Sequence, residues 1–119
     1  MNNQYFIEEM TERLKELKPR KVILFGSYAK GTETEDSDLD VLVVLDSNER
    51  SKTFSELMER SKPVSAAVRE VRKKMAMDLI VYTMAEFEFL RKQKDFFVEE
   101  IVETGKILYE KTELEIGEK

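Results

Sequence analysis

The stretch Leu39–Leu45, LDVLVVL, constrains this chain more than any other. Beyond its first residues it is apolar at consecutive positions, so it reads as a strand buried on both faces. A second apolar run, KVILF at 21–25, is β-branched and aromatic-rich and ends at Gly26. A third, MDLIVYT at 77–83, reads the same way, and KILYE at 106–110 makes a short edge strand. Between them lie helical periods. Ile7, Met10, Leu14 and Leu17 define an amphipathic helix over roughly 3–18, closed by Pro19. A helical region over 53–75 carries Pro63, which predicts a kink or break there. Thr83-x-x-Glu86 is a capping-box signature for a helix running to about Glu103, with a break near Asp95 and a cap at Gly105. This order predicts an α/β domain with a small mixed sheet flanked by helices. It occupies 1–119 as one unit, with a core of about 3–110 and a polar C-terminal tail.

Composition removes whole classes of chemistry. The chain contains no cysteine and no histidine. Disulfide frameworks, thiolate zinc sites, Ser-His-Asp triads and imidazole-ligated metals are therefore out of reach. Any metal must be held by oxygen, which points to Mg²⁺, Mn²⁺ or Ca²⁺. The net charge of -5 gives no general attraction to nucleic acid, so direct nucleic-acid binding is not expected. The apolar runs are too short to cross a bilayer as helices, and the N-terminus has no signal-peptide pattern. The expectation is a cytoplasmic protein without membrane contact.

Acids at a strand mouth need a reason. In an extended chain Asp38 and Asp40 point the same way, with Cα atoms about 7 Å apart. That spacing suits two carboxylates sharing one divalent ion or bridging two. Asp78, inside MDLIVYT, becomes a third if its strand neighbours 39–45. Gly26 and Ser27 supply the complementary half. Glycine lets backbone approach a ligand, Ser27 opens a short helical turn closed by Gly31, and free N–H groups there can hold phosphate oxygens. Lys30 is a secondary phosphate contact. Glu33, Glu35 and Asp36 read as a solvated loop, and REVRKK at 69–74 as the solvated face of a helix. Of Phe87, Phe89, Phe96 and Phe97, most are expected in the core and one or two on a partner surface. Tyr82 and Tyr109 are expected to be structural.

Other motifs fail on their residues. Gly31 is followed by Thr32 and Glu33, not the Lys-Ser/Thr of a Walker A loop. An EF-hand loop starting at Asp36 has Val41 where glycine is needed and Ser47 where glutamate is needed. A glycosidase carboxylate pair leaves Gly26-Ser27 unexplained.

Gly26-Ser27, then Asp38-Leu39-Asp40, then Asp78 on a later strand resembles the signature of the DNA polymerase β-like nucleotidyltransferase superfamily. The closer likeness is to minimal nucleotidyltransferases, often antitoxins of HEPN/MNT toxin–antitoxin pairs. The resemblance implies transfer of AMP from ATP to a tyrosine of an all-helical HEPN toxin, with release of pyrophosphate. It implies two Mg²⁺ ions (or Mn²⁺) on Asp38 and Asp40, with Asp78 on the catalytic ion and helping to deprotonate the acceptor. It assigns Gly26 and Ser27 to the β- and γ-phosphates. No substrate-binding helical domain of the aminoglycoside-enzyme kind is visible, so a partner protein or a second subunit would complete the site, in a homo- or hetero-oligomer. Two other readings are nucleotidyl transfer to a small hydroxylated molecule or an RNA 3′ end, and a non-catalytic module that neutralises its partner by occlusion.

Overall fold

The computed structural model describes residues 3–117. Four strands form one mixed sheet, β1 (Lys21–Phe25), β2 (Leu39–Leu45), β3 (Met77–Thr83) and β4 (Lys106–Glu110), in the order β3-β2-β1-β4. β1 runs antiparallel to β2 and β4, whereas β2 and β3 are parallel. The parallel step needs a long crossover. It is made by α3 (Phe54–Ala67) and α4 (Arg69–Arg72). The remaining helices are α1 (Gln4–Lys15), α2 (Ser27–Lys30), α5 (Met84–Lys92), α6 (Phe96–Thr104) and α7 (Glu113–Gly117).

Side chains alternate across a strand, and the core divides accordingly. Val22, Leu24, Val41 and Val43 pack with Met10 and Leu14 of α1 and Val64 of α3 on one face. Ile23, Phe25, Leu42 and Val44 pack with Phe87 of α5 and with Val98 and Ile101 of α6 on the other. Both layers cover β2, as its unbroken apolar pattern requires, and they cover β1 as well. Among the described residues no helix is long and apolar enough to cross a membrane.

Local chemistry sets the joints. Thr83 closes β3 and caps α5: its hydroxyl accepts the Glu86 amide at 3.1 Å, and the Glu86 carboxylate accepts the Thr83 amide at 2.9 Å. The same hydroxyl donates to the Glu49 carbonyl at 2.6 Å, fixing the loop after β2. Lys94, at φ 56°, breaks α5 from α6, and Asp95 then caps α6 by accepting the Val98 amide at 3.0 Å.

Three expectations need correction, and one is met in an unexpected backbone form. α3 runs straight through Pro63, and the interruption falls at Val68 (φ -100°, ψ 6°). The proline deprives the Glu59 carbonyl of its helical partner, at a residue that lies exposed to solvent, where the loss costs least. Gly105 ends α6 as the sequence suggests, in extended backbone. Glycine is needed there for space: a Cβ would stand 2.5 Å from the Ile101 carbonyl oxygen and 2.8 Å from Ile23 Cγ2. The polar tail contains a helical turn, α7, opened by a reciprocal Thr112–Glu115 box that the sequence TELE signals. Only Glu118 and Lys119 of that tail lie outside the described residues. Finally, of the four phenylalanines only Phe87 is buried; Phe96 is 89% exposed, and Phe89 and Phe97 are exposed as well.

Thr83→Ala removes a helix cap and the bond to Glu49 together, so it should cost about 2 kcal/mol, the upper end for a capping residue. Chemical denaturation should record this as a lower midpoint with unchanged slope.

Candidate active site

β2 and β3 begin at the same end of the sheet, and their parallel register sets Asp40 directly beside Asp78. On the other side Asp40 is opposite Phe25, the last residue of β1. Directly paired residues share a face. Asp40 and Asp78 therefore emerge on the α5–α6 side, at the strand ends. Asp78 is exposed and Asp40 half-buried. Asp38 lies just before β2, not within it, and is exposed.

The carboxyl of Asp40 is pushed above its ordinary range. Burial is the main cause, followed by the charge of Asp78 and a side-chain hydrogen bond with it, then the charge of Asp38. Two carboxylates placed this close repel each other when both are ionised, and that is what favours the neutral form of Asp40. Among the described residues no ion pair reaches any of the three aspartates. The other end of β2 differs. Asp46 there meets Lys111 at 2.6 Å and Arg20 at 3.5 Å. One strand thus carries a neutralised acid at its exit and an unneutralised pair at its mouth.

Gly26 follows β1 with φ 71° and ψ -152°, a region disfavoured for residues with a side chain. A Cβ here would collide with Oδ2 of Asp40. The glycine thus brings bare backbone against the half-buried carboxylate. Ser27 then opens α2, and Gly31 closes it in left-handed backbone at φ 74°. Ser27 is half-buried, and Lys30 is exposed at the end of the turn. Tyr28 anchors the turn from below, its hydroxyl accepting a hydrogen bond from Asn3 at 2.7 Å.

The structure thus brings together Gly26, Asp40 and Asp78, with Ser27 adjoining and Asp38 at the entrance. The donor set is oxygen alone, fitting a hard divalent cation. Among the described residues no three acids form a closed chelating cluster; the joined pair is Asp40–Asp78. An aromatic contact at this mouth was not read from the sequence: Phe97 of α6 meets Phe25 edge-on, with centroids 5.6 Å apart. Its signal was the Phe96-Phe97 pair directly after the Asp95 cap.

A mixed sheet with paired strand-end carboxylates beside a Gly-Ser turn sets oxygen donors next to close-approaching backbone. The nucleotidyltransferase domain family matches residues 6–113, and the chain belongs to that family. Two proteins of Methanocaldococcus jannaschii, each provisionally named a protein adenylyltransferase, are similar over part of their length. One is 47% identical over 49 residues, covering 39% of this chain and 49% of the relative. The other is 48% identical over 42 residues, covering 35% and 41%. The matches thus span less than half of each relative. Among solved structures, a nucleotidyltransferase from Sulfolobus solfataricus, itself provisionally named, superposes with TM-score 0.56 at 20% identity, covering 91% of this chain and 86% of that one. A toxin–antitoxin structure with AMP-PNP superposes with TM-score 0.55 at 21% identity, covering 97% and 79%. Identities this low carry the fold alone.

A carboxyl raised in the folded state makes ionisation unfavourable there. The penalty is absent below the unfolded value, near pH 4, grows as pH rises toward the folded value and is full above it. Asp40→Asn should therefore raise the melting temperature at pH 7, and the gain should vanish below about pH 4. Thermal melts of both proteins across pH would check the sign.

Proposed function

We propose that this chain transfers AMP from ATP to a tyrosine hydroxyl of a partner protein. The observation that carries the reading is the Asp40–Asp78 pair, set in register beside the Gly26–Ser27 turn. Family membership supports nucleotidyl transfer, and the names of the M. jannaschii relatives favour a protein acceptor. An antitoxin role is in keeping with the toxin–antitoxin neighbour, and the all-helical HEPN toxin as partner is what the sequence resemblance implies. The cytoplasm, where ATP and such a toxin meet, is the proposed location.

In this reading Asp38, Asp40 and Asp78 hold two Mg²⁺ ions, with Mn²⁺ able to replace them. Bound there, the ions supply charge neutralisation and favour the ionised acceptor hydroxyl. Backbone N–H groups and the Ser27 hydroxyl hold the β- and γ-phosphates, and the exposed Lys30 adds a longer-range contact. Asp78 takes the phenolic proton. The phenolic oxygen bonds to the α-phosphorus, the bond to the bridging oxygen breaks, and pyrophosphate leaves with that electron pair. No histidine is needed.

Incubation of the chain with its candidate partner, Mg²⁺ and α-labelled ATP should label the partner, whereas γ-labelled ATP should not. Asp40→Asn should lower the labelling by on the order of 100-fold or more, the scale of losing an essential electrostatic group. Mg²⁺ with ATP should also stabilise the wild type, by about 2.7 kcal/mol at one hundred times the dissociation constant. Label released by nuclease would move the acceptor to RNA. Stabilisation without label in any macromolecule would leave a small-molecule acceptor, and neither label nor stabilisation would leave an occluding module.

A further inference from the structure

The two edges of the sheet are built differently. β4 is five residues long, carries charge at both ends in Lys106 and Glu110, and pairs with β1 through an irregular register. Those are ordinary protections of an edge. β3 is seven residues long, and its one charge is Asp78. Leu79, Ile80 and Tyr82 are only half-buried, and β3 pairs with β2 alone.

A groove of about 360 Å³ follows that edge. One wall is residues 79–82 of β3, and the other includes Leu57, Ser61 and Ser65 of α3. Successive strand residues point to opposite faces, so a groove touching four in a row must run along the outer edge, where the main-chain N–H and C=O groups stand. A strand wall, a helix wall and an open main-chain edge together suit an extended peptide added to the sheet. α3 is fit to be covered in this way, because only Val64 of its residues is buried and Met58 is 49% exposed.

We propose that β3 receives the acceptor protein as an added extended strand, delivering a hydroxyl-bearing side chain to the carboxylate site. This deepens the proposed transferase reading and rests on it. The groove is continuous with the site through β3 itself, since Leu79 follows Asp78 directly. An added residue opposite Asp78 would lie about 5 Å from it between Cα atoms, within reach of a tyrosine hydroxyl. The side chains flanking that tyrosine are apolar, matching Leu57 and Leu79. Arg72 is the one charged residue lining the groove, and it donates to the Met77 carbonyl at 3.3 Å, which seats its guanidinium at the Asp78 end. The segment therefore carries a carboxylate close to its tyrosine.

The probe is a pool of peptides about eight residues long, an ordinary strand length, with a central tyrosine, flanking Val, Ile or Leu, and one Asp or Glu. With Mg²⁺ and α-labelled ATP the pool should take label. N-methylation of alternate backbone amides should lower labelling by about tenfold or more, because the side chains are kept while the edge hydrogen bonds are lost. Hydrogen exchange at residues 79–82 should slow in the presence of the pool, and Ser65→Trp, folded by circular dichroism, should label the pool less. Equal labelling of the two pools, or unchanged exchange along β3, would overturn the proposal. Slowed exchange without label would keep the groove and remove the transferase reading. Label with unchanged exchange would do the reverse.

Discussion

Two carboxyl groups, Asp40 and Asp78, are set side by side at the mouth of parallel strands, and among the described residues neither makes an ion pair with a lysine or arginine. Hydrophobic burial elsewhere makes this arrangement tolerable. β2 is covered on both faces, so its position is fixed by core packing that Asp40 does not supply. The crossover through α3 and α4 returns the chain so that β3 runs parallel to β2, and that direction alone puts Asp78 at the same end as Asp40. Had β3 been antiparallel, residue 78 would stand at the opposite end, near Asp46. Asp46 shows how the same chain treats an acid that serves structure: two cations enclose it.

The surroundings of the pair follow from the same constraint. Gly26 is glycine because Asp40 occupies the space a side chain would need, and its left-handed backbone turns the chain into α2. The turn thereby offers backbone and the Ser27 hydroxyl to whatever sits on the carboxylates. Phe97 edge-on against Phe25 walls the adjoining face with apolar surface.

Much of this was legible in the sequence, for identifiable reasons. The strands were readable because each is a short apolar run ended by a turn or cap, and the Thr83–Glu86 box states its own hydrogen bonds. Asp40 and Asp78 were legible as a pair once their strands were taken as neighbours, since each sits near the start of its run. Asp38 was harder, because the alternation argument holds only inside a strand and β2 begins one residue later. Pro63 misled because proline's cost depends on whether the deprived carbonyl can reach water, a property of the folded surface. The phenylalanines misled because hydrophobicity states a preference for burial, while the number of places in the core is set by packing. Phe96 is left outside by the Asp95 cap that starts its helix. The groove along β3 was not legible at all, since an edge is defined only by strand order.

The central claim is that Asp40 and Asp78 hold a repulsion in readiness for a divalent ion and a triphosphate. The most direct measurement is a carboxyl-carbon NMR titration of Asp40 across pH, first alone and then with Mg²⁺ and a non-hydrolysable ATP analogue. The account predicts a midpoint above the ordinary carboxylate range in the first titration, falling below it in the second. An ordinary midpoint that ignores both additions would contradict it.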